Sequence, residues 1–234
     1  MKSERPRRVA LEEGLSKLGE NMVTLAELSE FAIQKAIGGL LESDAPQALE
    51  VSTLDREIYA LQNVIEKNCV DLIALHAPVA RDLRTITTSL KIVTDLDRIG
   101  RYARDIAEIA LEQQKQGKAP PREEEQLKRM SDLTIHMVDT AVRAFTRHDA
   151  ASVRDIAEFD NAVDDLYEAI YQDLITQIGK GTLSPETGVQ YILVCRYLER
   201  IADHAVNVGH RVVYMVTGES PIKGIGPADT DPAG

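Results

Sequence analysis

At 234 residues the chain is long enough for one large domain or two small ones, and with 44% apolar and 28% charged residues it is neither wholly disordered nor collagen-like. A formal net charge of −11 repels phosphate backbones, which argues against direct nucleic-acid binding. Three Phe, seven Tyr and no Trp leave Leu, Ile, Val and Ala to fill the interior, the usual filling of packed helices, so an all-α fold is expected.

Breakers are few and divide the chain into six long helical segments. The first runs from about Val9 to Glu42 despite Gly38 and Gly39. Asp44 with Gln47 three residues later reads as a capping box that opens the second, which runs to about His76. Pro78 suits the first turn of a third helix, which ends near Gln116 before Gly117 and Pro120-Pro121. Glu123, Glu124 and Glu125 place negative charge on the first turn of a fourth, where the macrodipole favours it, and that helix runs to about Arg147. Asp149 is expected to cap a fifth helix ending near Ile178, and Ser184-Pro185-Glu186 opens a sixth ending near Thr217. From Gly218 onward the Gly- and Pro-rich composition predicts a disordered tail.

Helices of about 30 residues are roughly 45 Å long, and short turns between them force antiparallel neighbours. Two tandem three-helix bundles result, over residues 1–118 and 119–217, with 218–234 as the tail. The halves also read as a repeat. Asp44-Ala45 matches Asp149-Ala150 and Asp55 matches Asp160. Asp97 to Asp105 matches Glu199 to Asn207, and Glu108 matches His210.

Other classes of function find little support. No run approaches the roughly 20 apolar residues that cross a bilayer, and the stretch from Val9 to Gly19 mixes acids with Leu, unlike a signal peptide. A cytoplasmic chain without direct membrane insertion is expected. Cys69 and Cys195 have neither disulfide-scaffold nor zinc-site spacing and read as buried reduced thiols. No GxSxG elbow, Walker loop or GxGxxG is present.

The carboxylates of the second half carry the functional signal. Glu199, Asp203 and Asn207 are spaced i, i+4, i+8 and form one drifting stripe that includes Ile192, Cys195 and Val206. Arg196, Arg200, His204 and Arg211 gather on another sector of the wheel. Asp160 and Asp164 repeat the i, i+4 spacing on the fifth helix, so an antiparallel hairpin would converge four carboxylates without a basic residue in either pair. That ligand set suits a hard cation, iron(III), manganese or magnesium, better than zinc or copper. The competing reading is a row of solvated edge charges bridged to Arg196 or Arg200. Residue 202, three after Glu199, is Ala, so the Glu-x-x-His pattern of di-iron oxidases is missing; a carboxylate-bridged metalloenzyme remains the alternative function.

In the first half Asp55 and Asp97 remain, but Tyr59 stands in the place of Asp164 and Arg101 in that of Asp203. Arg101 can satisfy Asp97 by bidentate hydrogen bonds, so an asymmetric molecule is expected. The second half would bind metal, and the first would close with Arg101 among Asp55, Asp97, Asp105 and Glu108. His210 lies on the Glu199 stripe and could ligate or sit at the core edge. His76 and His148 read as helix-end residues, and His204 and His136 show no partner pattern. Arg81-Asp82-Leu83-Arg84 reads as a solvated face or a contact for a partner's acid.

Leu198-Glu199-Arg200-Ile201-Ala202-Asp203-His204-Ala205-Val206-Asn207, followed by Val216-Thr217-Gly218, resembles the signature of PhoU-type phosphate-transport regulators. Pro78 to Arg84 and Asp95 to Gly100 resemble the first-repeat signature, so the likeness covers about residues 9 to 218. The resemblance implies two similar three-helix bundles and no enzymatic activity. It implies metal clusters on Asp160, Asp164, Glu199 and Asp203 with Asn207 beside them, and on Asp55 and Asp97, where Tyr59 and Arg101 depart from the pattern. It also implies regulation through the ATPase of the phosphate ABC transporter, in many bacteria through a sensor histidine kinase, and a homodimer.

Overall fold

The computed structural model describes residues 4–117 and 124–219. Six helices follow in order: α1 Glu4–Leu41, α2 Ala45–His76, α3 Ala80–Lys115, α4 Glu124–Arg147, α5 Ile156–Gly179 and α6 Pro185–Thr217. Helix α1 starts five residues before the expected Val9, because Pro6 falls in its first turn, where no intrahelical donor is needed. Its Leu11, Leu18, Met22, Leu25, Ala32, Ile33, Ala36 and Leu40 are buried and form one core-facing stripe.

The α1–α2 turn differs in detail from a capping box. Asp44 accepts from the Gln47 backbone N–H at 3.2 Å, as a cap should. The Asp44 N–H, however, already donates to the Gly39 carbonyl at 3.1 Å, so the Gln47 amide turns instead to the carboxylates of Asp44 and Glu42. Gly39 is what lets the two helices approach: a Cβ there would lie 2.9 Å from the Ala48 Cβ and 3.0 Å from its backbone nitrogen.

Pro78 lies just ahead of α3 and not in its first turn, since the cap is Val79 and the preceding Ala77 is left-handed with its N–H on the Ile73 carbonyl. The fifth helix also starts later than expected. Asp149 accepts from the Ala151 N–H at 2.9 Å and from the Ser152 hydroxyl, closing a local turn instead of a helix cap, and α5 begins at Ile156. Ser184 caps α6 as expected, accepting from the Thr187 N–H at 3.2 Å, and Gly218 in the left-handed region ends it. The expected boundary at 118, Pro120-Pro121, Glu123 and the tail from 220 lie outside the described residues.

Helices α1, α2 and α3 pack against one another, as do α4, α5 and α6. The bundles meet through α3 against α6 and α1 against α4, while α2 and α5 touch only their own bundle. One continuous apolar core joins both halves. The repeat is visible in the α3–α6 pair: Asp95 meets His204, and the positions 102 residues on and back, Tyr197 and Tyr102, stack with ring centroids 5.7 Å apart. Helix α5 buries only Ile156, Val163, Ile170 and Leu174. At about 1.5–3 kcal/mol for each fully buried aliphatic side chain, it is the helix held by the least apolar burial.

Candidate functional site

Helix α5 offers Asp160 and Asp164 on either side of buried Val163, and α6 offers Glu199 and Asp203 beside buried Leu198 and Ala202. The packing of α5 on α6 brings these four carboxyls into one electrostatic cluster. Asp160 is pushed up to about 6, first by burial and then by Asp164, Asp203 and Glu199. Asp164 is also raised, by burial and by Asp203 and Asp165, with Arg196 pulling the other way. Glu199 is raised by burial and its acidic neighbours, against Arg196 and Arg200.

Although the wheel sets Arg196 and Arg200 on another sector, both reach the acids, as the competing reading of bridged edge charges expects. Arg196 pairs with Glu199, and Arg200 Nη1 lies 3.3 Å from Asp203 Oδ2. At i, i+3 the residual rotation is about 60°, and a guanidinium on a long stem bridges it. Glu199 keeps 16% of its side chain exposed and Asp203 46%, so both acids sit at the core edge. Asn207 diverges from the cluster because each i, i+4 step drifts about 40° around the helix, and His210 because it lies two turns, about 10 Å, beyond Asp203 along the axis. With Asp203 they line a cleft between α3 and α6.

Among the described residues no three His, Cys, Asp or Glu side chains stand close enough to hold a metal as placed. The donor chemistry still fits a hard cation: Asp160, Asp164 and Glu199 are all raised by burial and by acidic neighbours, and Asp160 has no cation among the groups acting on it. A metal there would displace Arg196 and Arg200 from Glu199 and Asp203.

The first half is closed by two arginines, one of which the sequence reading missed. Arg101 Nε is 2.9 Å from Asp97, a buried carboxyl that burial raises and Arg101 lowers. Arg104, not Arg101, reaches the remaining acids: Asp55 at 3.1 Å, Asp105 at 3.1 Å and Glu108 at 3.5 Å. Its signal was its place on the Asp97 stripe, seven residues on and four before Glu108. Tyr59 is 54% exposed and takes no part.

A second missed cluster lies where the bundles meet. Asp95 is 4% exposed; its Oδ1 is 3.0 Å from His204 Nδ1 and its Oδ2 2.9 Å from Arg211 Nε. His204 thus has a partner 109 positions away, which no local pattern could reveal. His136 meets the Phe159 ring edge-on at 4.8 Å, and His148 reaches Thr85 at 3.4 Å. The Arg81–Arg84 segment is largely engaged within the molecule: Asp82 accepts from Arg8 at 2.6 Å, and Arg84 donates to the Met215 carbonyl at 3.3 Å.

The PhoU domain family matches this chain twice, over residues 22–110 and 127–212. The phosphate-specific transport system accessory protein PhoU homolog of Synechocystis sp. is 34% identical over 215 residues, covering 92% of this chain and 94% of that protein. PhoU homolog 2 of Mycobacterium tuberculosis is 32% identical, over 92% of this chain and all of that one. Among solved structures, PhoU from Pseudomonas aeruginosa superposes with a TM-score of 0.83 at 30% identity, covering 89% of this chain and 99% of that one. The phosphate transport system regulatory protein PhoU from Streptococcus pneumoniae gives 0.82 at 31%, over 90% and 99%.

Proposed function

The chain belongs to the PhoU family, regulatory and accessory proteins of phosphate transport and not enzymes, and on that premise we propose that it restrains phosphate uptake by docking on the ATPase of a phosphate ABC transporter. The observation that carries this reading is the match of both repeats to one family, with relatives named for phosphate-specific transport aligned along nearly the whole chain. No helix among the described residues is long and apolar enough to cross a membrane, so action on a transporter requires docking on a partner. The outer faces of α2 and α5, which pack only within their own bundles, are available for it. Docking biases the transporter by binding one of its states more tightly than another. In the same reading the protein works in the cytoplasm as a homodimer and, where the host has one, also contacts a sensor histidine kinase.

The α5/α6 groove is proposed to take up iron, manganese or magnesium on Asp160, Asp164, Glu199 and Asp203. Such a cation would neutralise the converging carboxylates and tie the weakly anchored α5 to α6. The residues themselves set the condition for it: Arg196 and Arg200 must swing off their acids, so uptake competes with two internal ion pairs.

Reconstituted transporter in phosphate-loaded vesicles tests the central claim. Adding this chain is expected to lower ATP hydrolysis and to give a complex that co-elutes with the ATPase. Unchanged hydrolysis together with no complex would overturn the proposal.

A further inference from the structure

Across the α3–α6 junction the repeat sets two copies of one short pattern face to face. Arg98 and Tyr102 on α3 correspond, 102 positions on, to Arg200 and His204 on α6. Because α3 and α6 pack across the approximate two-fold of the repeat, all four side chains line a single cleft of about 510 Å³, with Asn207 and His210 on its α6 wall.

The floor of this cleft is fixed. Tyr102 stacks on His204 with ring centroids 5.9 Å apart, and buried His204 is held through Nδ1 by Asp95 at 3.0 Å. A carboxylate only accepts, so the hydrogen bond places a proton on Nδ1 and leaves the Nε2 edge of the ring for the cleft. The rim is less constrained. Arg98 makes no ion pair or hydrogen bond among the described residues. Arg200 has Asp203, the acid on the cleft wall, at 3.3 Å, with both side chains 46% exposed, the kind of pair that binds weakly.

We propose that this cleft is a binding site for a phosphoryl-type oxyanion, gripped between Arg98 and Arg200. Two guanidinium forks on opposite walls, one from each bundle, can address a tetrahedral dianion on two faces. A carboxylate carries a single charge in one plane, whereas a phosphoryl dianion offers two charges and oxygens directed to both walls. The cleft has room beyond a single phosphate, so the same chemistry serves free phosphate or a phosphoryl group carried on a nucleotide. Its donors are guanidiniums and not the carboxylates of the α5/α6 groove, with Asp203 the one acid the two sites share. Occupancy would crosslink the two bundles at their junction.

Equilibrium dialysis of the full chain, stripped with chelator, against inorganic phosphate and in parallel against AMP tests this. Saturable binding at one site per chain is expected, weakened ten-fold or more by Arg98→Gln and by Arg200→Gln and unchanged by Arg129→Gln on the exposed face of α4. All three arginines reach solvent, and circular dichroism is expected to show each variant folded. Tighter binding of phosphate would identify the free anion as the ligand, and tighter binding of AMP a carried phosphoryl group. The proposal falls if neither probe saturates, if both cleft variants bind like the parent, or if binding appears only once manganese is added.

Discussion

Glu30 is where the structure makes its most quantitative demand. It lies on the side of α1 that meets α4, in a cleft walled by Glu27, Asp139, Arg143 and Arg147. Its carboxyl is pushed from an ordinary 4.5 up to about 7, first by burial, then by Asp139 and, more weakly, Glu27, with Arg143 opposing. Arg143 cannot neutralise it well, because its Nε already donates to Asp139 at 2.5 Å. Between about pH 4.5 and 7 the folded protein holds a proton that the unfolded chain releases, so stability falls as pH rises through that window and the penalty is complete above it. Converted directly, the shift corresponds to about 3 kcal/mol, and solvent screening of a partly exposed carboxyl reduces that to about 1–2 kcal/mol. Glu30→Gln keeps the shape and removes the charge. Urea unfolding at pH 4, 5.5, 7 and 8 is therefore expected to show variant and parent nearly equal at pH 4 and the variant about 1–2 kcal/mol more stable at pH 8. A gap that does not change with pH, or a variant less stable at pH 8, would refute the reasoning.

Three further outcomes follow from named contacts. Asp95→Asn removes the counter-charge of His204 and Arg211 at the bundle junction and should cost about 2–4 kcal/mol in denaturant unfolding; an unchanged midpoint would show the cluster to be idle. Gly39→Ala gains about 1 kcal/mol of helix propensity but drives a methyl group into the Ala48 backbone, a close approach costing about 1–3 kcal/mol. Net destabilisation is expected in thermal melts, and a stabilised variant would mean that α1 and α2 are not so close. Elemental analysis of protein purified without chelator should find iron or manganese that is lost in the Glu199→Ala, Asp203→Ala double variant; the same metal content in both would disprove the second-half site.

The six helices could be read from the sequence because punctuation is strong where it matters: Asp44, Ser184-Pro185 and Gly218 act locally, and the structure uses each where it was read. Asp149 shows the limit of the same logic. An Asp followed by small residues can close a turn on Ser152 as well as cap a helix, and α5 begins only at buried Ile156. The acidic groove is visible as two i, i+4 pairs and its arginine bridges as the competing reading, but the wheel alone sets Arg196 and Arg200 on another sector, since it records where Cβ points and not how far a guanidinium reaches. Asp95 with His204 lay beyond any window, being a contact between repeats.

The repeat explains why the two halves differ chemically on so similar a frame. Each bundle brings acids from its second and third helices together, and each must offset their repulsion. In the first, Arg101 and Arg104 stand on the same α3 stripe as Asp97, and Arg104 reaches across to Asp55, so every acid of the cluster has a guanidinium. In the second, the position matching Arg104 is Val206 and that matching Arg101 is Asp203. The arginines that remain, Arg196 and Arg200, lie along α6 and pair only with α6 acids, which leaves Asp160 on α5 pushed up to about 6 with no cation acting on it. The excess charge therefore falls on the helix with the narrowest apolar stripe, and removing it by proton or by cation should tighten α5 onto α6 while leaving the first bundle as it is.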